Sequence, residues 1–135
     1  DYIEKIEFDR KGIKGAANKL RQLIWDTIYL YQQDRVFAKI LLLEVRNFSG
    51  YFESETYQIV RHYGNALLNL IKEGAASGEF RDDISPSHIR QIILGCIEHL
   101  CLPAVIFHYD ISPDKLTADI CDVIFEGIVK KTNKQ

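Results

Sequence analysis

The 135-residue sequence has no methionine, only three prolines, only three cysteines and no block of consecutive basic residues. Its lysines and arginines are scattered among the acids, and its formal charge is −2 with a pI near 6.1. Because a DNA-binding surface must neutralise phosphates, we expect any DNA contact to lie mostly outside these residues. Cys96, Cys101 and Cys121 are odd in number and lie in apolar segments, which argues against a disulfide framework and suits a reducing cytoplasm.

Several motifs that carry chemistry or targeting are also missing. The sequence has no uninterrupted apolar run of about 18 residues and no signal-like segment after Asp1, so no membrane partner is expected. There is no Gly-rich phosphate loop and no Gly-x-Ser-x-Gly nucleophile elbow. No Glu-x-x-His pair occurs, which removes the usual ligands of a di-iron carboxylate bundle. These absences predict a protein that is not an enzyme and needs no cofactor.

What the sequence does contain is apolar side chains at helical spacing. The composition, 47% hydrophobic and 27% charged, is typical of one globular domain. Strand-like alternation and hairpin signals are absent, so the fold class is all-α, a bundle of five to six helices. The stripe of the first helix comprises Ile13, Ala16, Ala17, Leu20, Ile24, Thr27, Ile28 and Tyr31.

Capping residues predict where the other helices begin and end. A second helix follows Asp34, a third runs from Ser54 to Gly78, and two more begin at the Ser-Pro pairs of Ser85 and Ser112. The loop after Gly78 carries one or two anchoring apolar residues. Inside the fourth helix, Pro103 predicts a kink or break about a turn earlier.

Two regions have more apolar surface than a single contact requires. The second helix has almost no polar face, which predicts a place in the middle of the bundle. The last two helices are apolar on two sides, which predicts a symmetric dimer built from them. The candidate dimer residues are Ile92, Cys96, His99, Ile120, Val123, Ile124 and Ile128.

Residues 68–86 read LNLIKEGAASGEFRDDISP. This run resembles the junction between the third and fourth helices of TetR-type C-terminal domains, where a Gly-x-Phe/Leu-Arg-x-Asp turn leads into a capped helix. Residues 93–99, 112–116 and 124–128 resemble the same family in the same order. Residues 40–46 and 80–83 are most similar to its members that regulate fatty-acid metabolism in response to long-chain acyl-CoA.

The resemblance implies the sensing and dimerisation domain of a transcription regulator that acts as a repressor. Residues 1–12 would be the tail of a connecting helix, residues 13–131 the effector-binding and dimerisation domain, and residues 132–135 a frayed tail. Because the chain opens at Asp1 without methionine, we expect upstream sequence that holds a helix-turn-helix headpiece for operator DNA. A small hydrophobic effector would then change the spacing of two headpieces in a homodimer.

Candidate pocket residues are aromatic or cationic. The aromatic candidates are Trp25, Tyr29, Phe37, Tyr63 and Phe107. The cations Arg46, His62 and Arg90 lie close to apolar stripes and could pair with an acidic group of an effector. The plainer interpretation is that the aromatics fill the core and the cations lie at the surface.

Three other interpretations follow from the same residues. Cys96, His99 and Cys101 suggest a metal site, but on a helix Cys101 points away from the other two, so no metal is expected. A stand-alone helical module that binds a hydrophobic ligand or a protein partner is the alternative function. A small helical enzyme would need titratable residues that converge on one pocket, and the spacing requires none.

Overall fold

The computed structural model describes residue 4, residues 11–44 and residues 49–130. These residues form five α-helices, with a π-helical turn at Ile40–Glu44 and a 3-10 turn at Tyr51–Glu53. The helices are Ala16–Gln33 (α1), Arg35–Lys39 (α2), Glu55–Ser77 (α3), Pro86–Phe107 (α4) and Pro113–Ile128 (α5). The all-α prediction is confirmed. The assignments made for residues 1–12 and 132–135 lie almost entirely outside the described residues.

Helix α1 is the central helix of the bundle. It contacts α2, α3, α4 and α5, and its side chains Leu20, Leu23, Ile24 and Ile28 are all 0% exposed. The spacing of these residues places one on each successive turn, so the apolar stripe covers the whole length of the helix. Complete burial of one such side chain stabilises the fold by about 1.5–3 kcal/mol, which makes α1 the main contributor to the core.

The prediction that the second helix lies in the middle of the bundle is wrong. Helix α2 has only five residues and continues into the π-helical turn, and only Ala38 and Leu42 of this segment are buried. Val36 is 71% exposed. The segment packs on α1 and α4, and most of its other apolar side chains are only half-buried, so its continuous apolar sequence does not become continuous burial.

Three of the four predicted N-caps form the expected hydrogen bond. Asp34, Ser54 and Ser112 each accept a hydrogen bond from the backbone N–H three residues further on, at 2.9, 3.1 and 3.3 Å. Ser85 precedes α4 as predicted, but its side chain makes no cap hydrogen bond. The backbone N–H of His88 donates instead to the carbonyl oxygen of Ser85, at 3.0 Å.

The predicted break before Pro103 is absent: α4 is one continuous helix from Pro86 to Phe107. A proline in a helix loses the hydrogen bond to the carbonyl four residues earlier, here that of His99. Both Pro103 and His99 are exposed, so water can satisfy this carbonyl. The helix ends one turn later at His108, which adopts a left-handed conformation with φ 61°.

Helix α4 is unusually apolar for its length. The most apolar 18-residue window of this helix has a mean hydropathy of 1.6, and 33% of the window is buried within the chain. By length and composition alone, such a helix could span a membrane. The core helix of a soluble protein meets the same criterion. In this fold α4 packs against α1, α2 and α3 and makes only a small contact with α5.

The connection between α3 and α4 is anchored by Phe80, which is 1% exposed. Gly78 ends α3 in the left-handed conformation, with φ 85°, as predicted. The Phe80 ring then lies directly against Gly74, and a Cβ atom at that glycine would overlap the ring. The anchoring residue predicted for this loop is therefore present.

Sequence reasoning missed how this loop joins the end of α5. Phe80 and Val129 form an isolated antiparallel bridge. The N–H of Arg81 donates to the Ile128 carbonyl at 2.6 Å, and the N–H of Lys130 donates to the Glu79 carbonyl at 3.2 Å. Two short extended segments, each too short to give a strand pattern, thereby close the bundle at one end.

Candidate functional site

A cleft with a cavity volume of about 70 Å³ lies between α1, the α2 segment, α3 and α4. We call it the aromatic cleft. Its apolar walls come from all four elements, so helix packing and not a single loop shapes it. The residues that line it are Thr27, Leu30, Tyr31, Phe37, Leu41, Tyr51, Ile59, Val60, Tyr63, Leu94 and Glu98.

A hydroxyl pair fixes one wall of the aromatic cleft. Thr27 Oγ1 donates to the carbonyl oxygen of Leu23, at 2.8 Å, and shares a hydrogen bond of 2.8 Å with Tyr63 Oη. Thr27 is 4% exposed and Tyr63 is half-buried, so this pair links α1 to α3 at the inner side of the cleft wall. A hydrogen-bonded pair of this kind holds the Tyr63 ring in one orientation against the cleft.

Glu98 is the one acidic residue among those that line the aromatic cleft. Its side chain is half-buried, and it also borders a second cleft of about 270 Å³. The other residues of the second cleft are Leu42, Gly95, His99 and Leu102. Sequence reasoning missed Glu98, although its spacing of four residues from Leu94 places both on one face of α4.

Three aromatic rings cluster beside the aromatic cleft. The centroids of Tyr51, Phe52 and Tyr57 lie 5.2–5.4 Å apart in pairs. Tyr51 is part of the cleft wall, whereas Phe52 is 71% exposed. The cluster therefore extends from the cleft to the surface. Three aromatics within seven residues were the signal in the sequence, but they fall at a loop and a helix start, where no periodicity assigns them a face.

Of the predicted aromatic pocket residues, Phe37 and Tyr63 line the aromatic cleft. Trp25 and Tyr29 stack on each other with centroids 4.8 Å apart, and the Trp25 indole N–H donates to Asp114 Oδ1 at 2.8 Å. They lie on another side of α1, because Trp25 and Thr27 are two residues apart and hence about 200° apart around the helix. The Trp25 indole joins α1 to the start of α5, and Tyr29 stacks on it.

The remaining pocket candidates do not line the aromatic cleft. Phe107 is 62% exposed at the end of α4, with its ring 5.9 Å from that of Tyr109. His62 is exposed on α3, and Arg90 is half-buried, with Nη1 donating to the Gly64 carbonyl at 3.5 Å. Arg46 lies outside the described residues. The described wall of the cleft therefore contains a carboxylate and hydroxyls but no cation.

The candidate dimer residues divide into two groups. Ile92 and Val123 are 56% and 75% exposed, His99 is exposed and Cys96 is half-buried. Ile120, Ile124 and Ile128 are only 3%, 6% and 7% exposed within one chain, which corrects their assignment to an interface. They lie on the side of α5 that packs against α1, since every fourth residue returns to the same helix face.

The cysteines and the turn after α3 have structural roles. All three cysteines are free, and burial raises the pKa of the Cys101 thiol to about 11. No group of metal-ligating side chains occurs among the described residues. In the turn, the hydrogen bonds from Arg81 to Asp83 lower the pKa of that carboxyl to about 2. Arg81 also donates to the carbonyl of Gly127, at 3.1 Å, which connects the turn to the end of α5.

A bundle around one buried helix, with a cleft between its elements, is an architecture typical of helical ligand-binding domains. Residues 1–127 match the family described as YsiA-like protein, C-terminal region, within the TetR type, and the chain belongs to this family. The family prediction and the regulatory function class are confirmed. Members of this family are transcription regulators and not enzymes.

Known relatives point to fatty-acid metabolism. The chain is 26% identical over 130 residues to the fatty acid metabolism regulator protein of Bacillus subtilis (strain 168), covering 96% of this chain and 67% of that protein. It also resembles the structure of the regulator FadR from Bacillus subtilis in complex with stearoyl-CoA, with a TM-score of 0.81 and 26% identity over 94% of this chain and 68% of that one.

A second solved structure has the same fold. FadR from Bacillus halodurans matches with a TM-score of 0.81 and 20% identity, covering 93% of this chain and 68% of that one. The chain thus spans about two thirds of the length of each of these relatives.

Proposed function

We propose that this domain binds a long-chain acyl-CoA, with the acyl chain in the aromatic cleft, and thereby controls transcription. The observation that carries the proposal is the cleft itself, which lies between helices and is walled mainly by aliphatic and aromatic side chains. Small-molecule sites are typically concave, mostly apolar and formed between helices in bundles. The stearoyl-CoA in the related FadR structure supports the ligand class.

The aromatic cleft must widen to accept such a chain. Its volume of about 70 Å³ equals roughly two water molecules at about 30 Å³ each, far less than a long acyl chain occupies. The α2 segment has only two buried residues, Ala38 and Leu42, and it contributes Phe37 and Leu41 to the cleft. An acyl chain that displaces this segment would favour an open form of the domain, which gives the effector a differential affinity for two conformations.

The charge distribution favours a thioester over a free fatty acid. A fatty-acid carboxylate in the described part of the cleft would meet Glu98 and no cation. An acyl-CoA instead inserts an uncharged chain and leaves its phosphates outside. Arg90 lies one turn before Leu94 on α4, and its guanidinium, near the Gly64 carbonyl, is the described cation best placed to contact a phosphate.

We further propose that the domain acts as a cytoplasmic homodimer that represses genes through a separate headpiece. Ile92 and Leu100 on α4 and Val123 on α5 are 56%, 48% and 75% exposed, and an apolar patch of this kind is typical of an interface. Operator DNA would be bound by a helix-turn-helix headpiece, as in the TetR family. The net charge of −2 on this chain is consistent with DNA binding by the headpiece and not by this domain.

Isothermal titration calorimetry of the purified chain with stearoyl-CoA and with free CoA tests the proposal. We expect stearoyl-CoA to bind at least about a hundredfold more tightly than CoA, because only the former buries an acyl chain. Leu94→Trp, which fills the cleft, should weaken stearoyl-CoA binding by at least about tenfold. Val36→Trp, at an exposed position of α2, is the matched control and should change the affinity little.

Two results would overturn this function. One is equal affinity for CoA and stearoyl-CoA, which would place no acyl chain in the domain. The other is stearoyl-CoA binding that a folded Leu94→Trp variant leaves unchanged, which would place the chain outside the aromatic cleft. Native mass spectrometry of the gently purified chain adds a direct check, since a retained acyl-CoA appears as a defined mass increment.

A further inference from the structure

Glu98 occupies an unusual position between two cavities. It borders the aromatic cleft of about 70 Å³ and also the second cleft of about 270 Å³. The two clefts also share the π-helical turn, in which Leu41 lines the first and the adjacent Leu42 lines the second. Glu98 and the π-helical turn therefore border both clefts.

A carboxylate is an unfavourable neighbour for an acyl chain that extends from one cleft towards the other. Moving a chain of methylenes past it requires that the carboxylate give up its water or its polar partner, or that it swing aside, and an ionised group resists transfer into an apolar environment. Each methylene that enters an apolar cavity normally strengthens binding by about fourfold. A methylene that reaches Glu98 gains less, because the same step desolvates the charge.

We propose that Glu98 is a specificity-determining residue that sets the acyl-chain length this domain recognises. The inference rests on the proposed acyl-CoA function and deepens it. A chain that fits within one cleft is held by that cleft alone, whereas a longer chain must pass Glu98 to use the other. The direction of entry does not matter, since the carboxylate borders both clefts.

The test is calorimetry of the purified chain with straight-chain acyl-CoAs from hexanoyl-CoA to stearoyl-CoA. For the unmodified chain we expect the affinity to rise with length and then level off at one length. In Glu98→Leu the rise should continue past that length, so that the longest acyl-CoA binds at least about tenfold more tightly than in the unmodified chain. Acyl chains shorter than the break should bind both proteins equally.

Two further variants make the result specific to this carboxylate. Glu98→Gln keeps the shape of the side chain and removes its charge, so it should raise the affinity for long chains only, and it decides the matter if Glu98→Leu does not fold. Glu126→Gln makes the same charge change at an exposed position of α5 and should leave the length profile unchanged.

Each outcome has a distinct meaning. Absence of acyl-CoA binding by the unmodified chain would overturn the proposed function itself. Binding without a break in the length profile would overturn the role of Glu98 alone. A change in affinity that is equal at all chain lengths in both Glu98 variants would overturn it as well, because a general effect on the cleft does not depend on chain length.

Discussion

At Gly74, a single hydrogen atom in place of a methyl group allows the Phe80 ring to pack. The ring is 1% exposed, and a Cβ atom at position 74 would overlap it. We predict that Gly74→Ala lowers the free energy of unfolding by about 1–3 kcal/mol, the usual cost of overpacking a core. Urea denaturation followed by far-UV circular dichroism measures this change.

Gly64, ten residues earlier on the same helix, is the matched control. A Cβ atom there would have nothing within 4 Å. Gly64→Ala should therefore raise the free energy of unfolding by about 0.5–1 kcal/mol, because alanine restricts the unfolded chain and favours the helix. Changes of the same sign in the two variants would contradict the packing assigned to Phe80.

At this scale, sequence identified part of the candidate site. Phe37 and Tyr63 were named from their residue type and position, and both line the aromatic cleft. Trp25 fulfilled the same criteria but lies on another side of α1, joined to Asp114. Periodicity tells which residues share a face of a helix, but which neighbour that face meets depends on tertiary packing. Glu98 was missed for the same reason, since only the packing of α4 reveals that its carboxylate enters a cleft.

At the scale of elements, the two Ser-Pro helix starts look alike in sequence but differ in structure. Ser112 accepts a hydrogen bond from the Lys115 N–H at 3.3 Å, whereas Ser85 makes no cap hydrogen bond. We predict that Ser112→Ala lowers the free energy of unfolding by about 1 kcal/mol and that Ser85→Ala changes it by less than about 0.5 kcal/mol. Parallel urea titrations of the two variants measure the difference, and an equal loss in both would contradict it.

The boundaries of the helices were the most predictable feature of the fold. The caps at Asp34 and Ser54 and the left-handed Gly78 depend on local backbone geometry, which nearby residue types specify. The place of the α2 segment in the bundle was not predictable, because its apolar residues serve a cleft and a surface and not only the core. The continuity of α4 through Pro103 depends on the exposure of the carbonyl of His99, which is again a tertiary property.

At the scale of the whole molecule, α4 and α5 make only a small contact with each other and leave apolar side chains exposed. Sequence predicted the two-sided character of these helices but not which residues face outward. Ile120, Ile124 and Ile128 were assigned to the dimer and belong to the core. Apolar content alone does not distinguish the two faces, because the buried side of α5 and its exposed side both carry β-branched residues.

The proposed dimer can be tested at its most exposed residue. Val123 is 75% exposed on α5, and an aspartate there would place an unpaired charge in an apolar interface, twice over because of the two-fold symmetry. We predict that Val123→Asp raises the dimer dissociation constant by at least about a hundredfold, measured by sedimentation equilibrium of the purified chain.

Val36→Asp is the matched control, since Val36 is similarly exposed, at 71%, but lies on α2. It should leave the dissociation constant unchanged within about twofold, because an exposed aspartate outside the interface keeps its water. A chain that sediments as a monomer at all concentrations would overturn the dimer. An unchanged dissociation constant in both variants would place the interface on a face other than that of Val123. An equal increase of the dissociation constant in both variants would place α2 within the interface.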